Sequence, residues 1–563
     1  MSTSNATPPN LVTPGSVPPV NGGDGAPGGS AAFTIDPTEE WDNLHTPTRP
    51  DSHWSTDNVG EAAPGVLSPL GASIWSDLGE RSTRGTFVEI GVLARRERRA
   101  PERPEDKILA VFCGRYAISV ELMCTLGDRL PGTSGQELAK AMLGKVPDDI
   151  EYNPTIRRYP VLAWKLSRVF FGMPARLRKY PPQVQRWWRD SIDALHTADL
   201  PTVRRILSDA LSAFEEALQL QATSVCGHSQ IIYEALDSLV REAGVGDLGV
   251  LSGAGGAELA VVTDIWRAAQ GEVSLEEVVR RHGFHGPLEG DVSSTVWRED
   301  ITPLRRMMSE YAGREDPRLR AAEIRARLPE EQAKVLAALP RSKRPGAKLL
   351  LVVAARRMPL RGVAKRSFVQ AIDVIRACAR RIGTDLADRR LLATADDVFY
   401  LTVRELFDLP TDAKELVAKR RARGAEYLGV TIPGSWKGLP EATVREAWSE
   451  RSEVTVVEGI GVSAGVVEGV ARVITDPSFA DVEPNEILVS PTTDPSWASI
   501  MYISSALVVD MGGPISHAAV VARELGLPCV VNTRNGTQMI RTGDRIRVDG
   551  QKGTVEILVP CAT

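Results

Sequence analysis

The residues with the clearest capacity for chemistry lie in the run 511–528, MGGPISHAAVVARELGLP, where a single histidine, His517, follows a glycine pair. Short apolar runs at 506–509 and 529–531 flank it and have the length of buried strands. The spacing predicts the order strand, glycine turn, histidine, helix, strand. A histidine that opens a helix directly after a turn is well exposed to a ligand.

Three neighbours of His517 strengthen this interpretation. Gly512 and Gly513 allow a sharp turn and a close backbone approach to a ligand. Ser516 is a natural N-cap for a helix that begins near His517. The unpaired N–H groups at such a helix end favour an anion. An imidazole there is suited to carry a phosphoryl group covalently, although a histidine packed in the core under a helix is the alternative interpretation.

The run resembles the phosphohistidine swivelling domain of the PEP-utilising enzymes, which include phosphoenolpyruvate synthase, pyruvate phosphate dikinase, rifampin phosphotransferase and phenylphosphate synthase. Ile515 stands where the dikinases have Thr, so the rifampin-phosphotransferase branch is closer. The resemblance extends to 459–469 and 542–550. It implies that His517 is the phosphorylated catalytic residue. The expected support for the loop and its phosphate comes from Gly512, Gly513, Ser516, Arg523 and Asp494. Asp494 is equally interpretable as an Asp-Pro turn signal.

Length and pattern predict several domains. The chain has 563 residues, of which 43% are hydrophobic. We expect a disordered tail at 1–50, a helical acceptor domain at 51–430, a hinge at 431–455 and a swivelling domain at 456–563. The predicted fold class is multidomain α plus α/β, a large mostly helical domain followed by a small β/β/α swivelling domain.

Composition limits partners and location. The net charge is −5 from 67 basic and 72 acidic residues, which gives no general attraction to nucleic acid or a membrane surface. No stretch approaches the ~18 apolar residues of a transmembrane helix. The six cysteines are scattered, so a structural zinc site or a disulfide framework is not expected. These features predict a cytoplasmic protein without a metal site.

Parts of the helical region resemble the acceptor-binding domain of rifampin-phosphotransferase-like proteins, at 54–70, 112–116 and 396–406. The run 282–291, HGFHGPLEGD, has the most chemical side chains here. The matching loop of that family reads approximately Gly-His-Arg-Gly-x-Gly-Glu, and this chain has His285 in place of the Arg. A histidine cannot clamp a phosphate in the bidentate manner of arginine.

His285 is instead a candidate general base for an acceptor hydroxyl, oriented by Glu289 or Asp291. Metal binding by His282 and His285 is a weaker alternative, because no helical ligand spacing is evident. A rigid polar loop without a chemical role is the other alternative.

Three basic residues are further candidates for substrate binding. Arg361 and Lys365 are four residues apart and would share one face of a helix. A solvated basic surface is the commoner explanation for such a pair. Arg115, in the Cys-Gly-Arg-Tyr segment, has the same status. The expected substrate-binding set is therefore Arg115, Glu289, Arg361 and Lys365.

The resemblance also implies a nucleotide domain of the ATP-grasp type, which neither residues 1–50 nor 51–430 resemble. We therefore expect a separate ATP-grasp partner that supplies ATP and Mg²⁺, with no cofactor held tightly by this chain. The expected function is transfer of a phosphoryl group from that partner, through His517, to the hydroxyl of a small-molecule acceptor. The alternatives are a non-catalytic phosphocarrier or regulatory protein, and a ligase-type enzyme that activates a carboxylate.

Overall fold

The structure is a computed structural model that describes most of residues 41–561, together with Ala32, Phe33 and Glu39. Outside the description lie the other residues up to 40, and 57–58, 61, 144–145, 246–250, 252–256, 361, 445–455, 476–482, 484, 494–496, 514–515 and 562–563. A large helical domain precedes a C-terminal domain built on one sheet, so the predicted fold class is confirmed.

The helices of the first domain are α1 Pro69–Ile74, α2 Glu80–Ile90, α3 Val120–Gly127, α4 Gly135–Leu143, α5 Tyr159–Leu195, α6 Leu200–Ser224, α7 Gln230–Ala243, α8 Ala257–Ala269, α9 Leu275–His282, α10 Thr302–Tyr311, α11 Pro317–Ala338, α12 Arg344–Arg357, α13 Lys365–Asp388, α14 Val403–Phe407 and α15 Ala413–Leu428. The central element is α13, which packs against α5 and α6 and is buried on nearly every side. It therefore connects the core to the loops at its N-terminal end.

One proline pair in this core does not have the effect that its composition suggests. The pair Pro181-Pro182 has the composition of a helix break, but both residues lie inside the 37-residue helix α5. Each proline removes a backbone hydrogen bond. The buried face of α5, with Leu177, Val184 and Trp188, packs against the core and outweighs that loss.

Two small sheets brace the helical domain. Their strands are β1 Ala32–Phe33, β2 His53–Ser55, β3 Leu109–Phe112, β4 Arg115–Ser119, β5 Val430–Thr431, β6 Ser435–Lys437 and β7 Ala442–Val444. One sheet has the order β1-β7-β5 and the other β3-β4-β2-β6. Strands β6 and β7 pair with β2 and β1 from the start of the chain, and β5 pairs with β7. Residues 431–444 therefore belong to this domain rather than to the predicted hinge.

The boundary of the predicted N-terminal tail also changes. Leu44 is 1% exposed, and the Tyr427 hydroxyl donates a 2.5 Å hydrogen bond to the carboxylate of Asp42. Residues 41–50 are thus packed onto the helical domain because they carry apolar and hydrogen-bonding side chains that composition alone did not reveal. Most of the predicted tail lies outside the described residues.

The C-terminal domain has strands β8 Val456–Glu458, β9 Ile460–Ser463, β10 Val466–Val473, β11 Ile487–Ser490, β12 Ala506–Val509, β13 Cys529–Val531, β14 Arg545–Asp549 and β15 Thr554–Val559, with helices α16 Ala498–Ile503, α17 His517–Leu525 and α18 Gly536–Met539. The sheet order is β8-β15-β14-β10-β11-β12-β13-β9, and β10 to β13 run parallel. Helices α16 and α17 cover one face of the sheet. The parallel β12–α17–β13 unit is the one predicted around His517.

A buried ionic cluster holds the loop 289–292 against α13. The Asp373 carboxylate accepts hydrogen bonds from Arg298, Arg376 and the Trp188 indole, at 2.8–3.1 Å. Burial raises the pKa of Asp373, but the charge of Arg298 and the other donors outweigh burial and lower it. Arg376 also donates to the carbonyls of Asp291 and Val292, at 3.0 and 3.1 Å.

The substitution Asp373→Ala should lower the free energy of unfolding of the helical domain by roughly 3–5 kcal/mol, because the fully buried Arg376 guanidinium loses its paired carboxylate while Arg298 keeps only Glu299. Chemical denaturation followed by circular dichroism measures this. Glu102→Ala, which removes the exposed partner of Arg99, is the control and should leave the transition unchanged. Equal midpoints for the two variants would contradict the role of the cluster.

Candidate functional site

The loop that carries His517 leaves the sheet at β12 and ends at the first residue of α17. The helix begins at His517, as predicted, and the Ser516 hydroxyl caps it by accepting a 3.2 Å hydrogen bond from the Ala519 N–H. Gly512 has a φ of 145°, which favours glycine over residues with a side chain. Apolar residues of α17, among them Ala518 and Ala522, pack on the sheet and fix the helix below the ring.

The ring of His517 is held through one nitrogen. Its Nδ1 lies 3.0 Å from the hydroxyl of Thr493, a buried residue in the segment after β11. The Nε2 atom is buried in this arrangement, while the residue as a whole is partly exposed. In the tautomer whose Nδ1–H donates to Thr493, Nε2 keeps its lone pair and is the nucleophilic atom. The predicted supporting residue Asp494 lies outside the described residues.

The start of the loop is anchored by Asp510. Its carboxylate accepts hydrogen bonds from the Thr533 hydroxyl at 2.8 Å and from the Thr537 N–H at 3.1 Å. Burial raises the pKa of Asp510, and the hydrogen bonds only partly offset this effect. Asp510 thereby ties the end of β12 to the start of α18, and sequence reasoning missed it because no motif marks the contact.

Arg523 is not placed to support the loop or its phosphate, contrary to expectation. It lies in the last turn of α17, about 9 Å along the helix axis from His517 at 1.5 Å per residue. Its Nε donates to the Val462 carbonyl at 2.7 Å, and its guanidinium lies 5.2 Å from the ring centre of Tyr233 on α7. Burial lowers the pKa of this arginine. Arg523 therefore joins the sheet domain to the helical domain.

The loop after α9 brings His285, Glu289 and Lys365 together. His285 Nδ1 lies 2.8 Å from Glu289 Oε2, and Lys365 Nζ lies 3.6 Å from Glu289 Oε1. His285 and Glu289 are 4% and 3% exposed. Burial raises the pKa of Glu289, but the hydrogen bond from His285 and the charges of His285 and Lys365 outweigh it and lower the pKa. Glu289 is therefore an anion that can orient His285.

The loop 283–289 is shaped by close packing. A side chain at Gly286 would place its Cβ 2.4 Å from the Thr295 carbonyl, so only glycine fits there. The ring of His285 lies 4.2 Å from that of Phe284 and 5.6 Å from that of Trp297, measured between centres. These contacts fix the imidazole plane, and with Nδ1 held by Glu289 the other nitrogen is left to accept a proton.

His282 has a separate partner. Its Nε2 lies 3.0 Å from Asp264 Oδ2, and burial lowers the pKa of His282 despite that carboxylate. Its ring stacks on that of His285 with the centres 6.3 Å apart. Within the described part of the chain, no group of three His, Cys, Asp or Glu residues is arranged to hold a metal ion.

Two of the other predicted residues have structural roles. The Asp291 carboxylate accepts hydrogen bonds from the N–H and the hydroxyl of Ser68, which precedes α1, and from the Ser293 N–H. Arg115 donates to the carbonyls of Cys113, Tyr427 and Val430. Asp291 therefore does not orient His285, and Arg115 links β4 to the end of α15 rather than joining the Glu289 group.

The predicted pair of Arg361 and Lys365 is described only in part. Arg361 lies outside the described residues, and Lys365 is the first residue of helix α13. Lys365 reaches the site through Glu289. Its place at the first residue of α13 explains this, since the side chain extends from the helix end towards the loop.

A narrow crevice lies beside Glu289 and Lys365 in the helical domain. It is lined by Ala62, Pro64, Glu289, Gly290, Lys365, Phe368 and Val369. The segment that contains Ala62 also contacts the loop of His517. A Cβ on Gly60 would lie 3.7 Å from Cε of Met511, at the start of that loop. The loop of His517 therefore lies beside the segment that forms one wall of the crevice.

Comparisons with known proteins define the class of these domains. Residues 482–553 match the family described as PEP-utilising enzyme, mobile domain, and residues 258–362 match the rifampicin phosphotransferase fourth domain. The resemblance inferred from the sequence is confirmed. Below, the C-terminal domain, 456–561, is called the mobile domain.

Individual relatives agree with this class. A rifampicin phosphotransferase of Streptomyces sviceus is 40% identical over 31% of this chain and 20% of its own length. One from Bacillus cereus is 28% identical over 51% of this chain and 34% of its own length. An uncharacterised protein of Mycobacterium tuberculosis is 33% identical over 49% of this chain and 30% of its own length. The chain thus aligns with about a third or less of each relative.

Two solved structures align as well, but with TM-scores of 0.15 they carry no argument. They are an aconitase X of Thermococcus kodakaraensis, 23% identical over 18% of this chain and 98% of that chain, and an Enzyme I protein, 16% identical over 54% and 77%.

The Thr493 contact predicts which nitrogen of His517 reacts. Phosphoramidate, which phosphorylates histidine chemically, should label wild-type His517 slowly, because Nε2 is buried, and at Nε2, because Nδ1 is hydrogen-bonded. In Thr493→Val a measurable share of the label should move to Nδ1, which phosphorus NMR resolves. Thr492→Val removes the hydroxyl of the preceding residue and should keep the wild-type distribution of label between the two ring nitrogens. An unchanged pattern in Thr493→Val would refute this role.

Proposed function

We propose that this chain is the acceptor-binding and phosphohistidine-carrying part of a phosphotransferase. On this proposal His517 receives a phosphoryl group and passes it to a hydroxyl of a small molecule bound beside Glu289 and Lys365. The main support is that the loop of His517 lies against the segment 59–64, which forms one wall of the crevice at Glu289. The rifampicin phosphotransferases among the relatives agree with this class of activity.

The first step is proposed to take place away from the helical domain. The lone pair of Nε2 attacks a phosphorus of ATP, an N–P bond forms, and the bond from that phosphorus to its leaving oxygen breaks. The proton on Nδ1 remains hydrogen-bonded to Thr493, which spreads the positive charge that the ring gains. ATP and Mg²⁺ are assigned to a separate ATP-grasp protein, in line with the sequence expectation.

The second step is proposed to take place with the mobile domain docked as in the structure. The acceptor oxygen attacks phosphorus, the N–P bond breaks, and Nε2 regains its lone pair. The hydroxyl proton passes to the free nitrogen of His285, whose Nδ1–H is held by Glu289. Lys365 lies at the same carboxylate and supplies positive charge for the phosphoryl oxygens. A docked domain also keeps water away from the N–P bond.

A non-catalytic phosphocarrier is the second candidate. One observation favours it, since the crevice leaves no room even for a water-sized molecule in this arrangement, whereas sites for drug-sized ligands enclose ~300 Å³ or more. For a transferase, the crevice must therefore widen when the acceptor binds. The two candidates differ in whether the loss of His285 has any consequence for phosphoryl transfer.

The experiment is to incubate the chain with labelled ATP and a candidate ATP-grasp partner, and then with small hydroxylated compounds. Wild type should gain an acid-labile, base-stable label at His517, and His517→Ala should gain none. His285→Ala should gain the label at the normal rate but pass it to the acceptor at least about 100-fold more slowly, the typical contribution of a general base.

The control variant is His196→Ala, which removes an exposed histidine of the helical domain and should behave as wild type. Label at a residue other than His517 would contradict the proposed carrier. Equal transfer by wild type and His285→Ala would remove His285 from the mechanism, and labelling without release to any acceptor would favour the phosphocarrier.

A further inference from the structure

The mobile domain is held on the helical domain by a defined set of contacts. Helix α16 packs against α8, and α17 packs against α11. The ring of Tyr502, on α16, lies 5.9 Å from the ring of Tyr311, centre to centre, and joins the apolar cluster formed by α8 to α10. At the far end of α17, the Arg523 guanidinium lies 5.2 Å from the Tyr233 ring.

One contact comes from α16, before β12, and the other from the last turn of α17, the helix that begins with His517. Tyr502 lies in the first of these helices and Arg523 in the second. Tyr311 is 0% exposed and Tyr233 is 8% exposed. Each ring belongs to an apolar cluster of the helical domain and is therefore held in place by its neighbours. Contacts of this kind are directional, since rings and guanidinium groups attract one another only in particular orientations.

The docked arrangement has a consequence for His517. Nδ1 is engaged by Thr493, and Nε2 is buried. The nitrogen that would accept a phosphoryl group is therefore covered in the docked arrangement.

We propose that the Tyr502–Tyr311 and Arg523–Tyr233 contacts form a latch that positions the mobile domain for transfer and closes His517 to external reagents until it opens. Tyr502 and Arg523 are thus positioning residues rather than catalytic ones. The part of this inference that concerns transfer rests on the proposed function. The accessibility of the ring can nevertheless be tested without any phosphoryl transfer.

The test uses diethyl pyrocarbonate, which modifies accessible imidazoles, with the rate at each histidine followed by peptide mass spectrometry. In wild type His517 should react much more slowly than the exposed His196, which serves as an internal standard. Tyr502→Ala should raise the rate at His517 by about two- to tenfold, the factor that corresponds to the loss of one aromatic contact. Tyr502→Phe keeps the ring and should restore slow modification.

Tyr233→Ala provides a second, independent variant in case Tyr502→Ala fails to fold, and it should raise the rate in the same way. Phe171→Ala removes an aromatic ring that is 71% exposed on α5, outside the latch, and should leave the rate unchanged. The latch is refuted if wild-type His517 reacts as fast as His196, or if neither alanine variant differs from wild type. If the modification rates support the latch but His517 accepts no phosphoryl label, the proposed function is wrong and the latch stands.

Discussion

The packing of α16 and α17 against α8 and α11 determines what His517 can reach. A phosphoryl group carried on an imidazole must be shielded from water at the point of transfer, and the ring must also be available to its donor. The structure satisfies the first condition, because Nε2 is buried and the loop of Met511 lies against the segment that lines the crevice. The second condition then requires movement of the whole domain, since the ring itself is fixed by Thr493 and by the start of a helix.

The proposed acceptor site, the loop of His285 and Glu289, is held by rigid contacts with its surroundings. Arg376, Arg298 and Asp373 fix the carbonyls at 291 and 292, and close packing at Gly286 fixes the loop that precedes them. His285 and Glu289 therefore meet as a preorganised pair rather than as two mobile side chains. In the proposed mechanism this preorganisation would matter, because a general base contributes only when its nitrogen is already within reach of the proton.

The sequence predicted the local features and missed the long-range ones, for identifiable reasons. The N-cap Ser516, the helix start at His517 and the neighbourhood of His285 and Glu289 all follow from short spacings that local physics controls. The contact of Thr493 with His517 joins residues 24 apart, and no spacing rule indicates it. Arg115 was misjudged because an arginine that satisfies backbone carbonyls looks the same in sequence as one that awaits a phosphate.

Tertiary packing also overrode two expectations from composition. The proline pair inside α5 and the glycine- and proline-rich stretch 431–444 both have the composition of breaks in regular structure, yet one lies within a helix and the other contributes three paired strands. The linker between domains is accordingly shorter than the composition suggested. The fold class itself was predictable because the change from helical to strand periodicity is sharp.

The most direct measurement is a crosslink between the two domains in solution. With exposed Cys226 and Cys561 replaced, Gly60→Cys and Met511→Cys should join efficiently through a short bismaleimide, because these positions lie side by side in the docked state. Gly60→Cys paired with Lys552→Cys, an exposed position in the β14–β15 turn, is the control and should join poorly. Equal yields for the two pairs would contradict the docking of His517 beside the crevice.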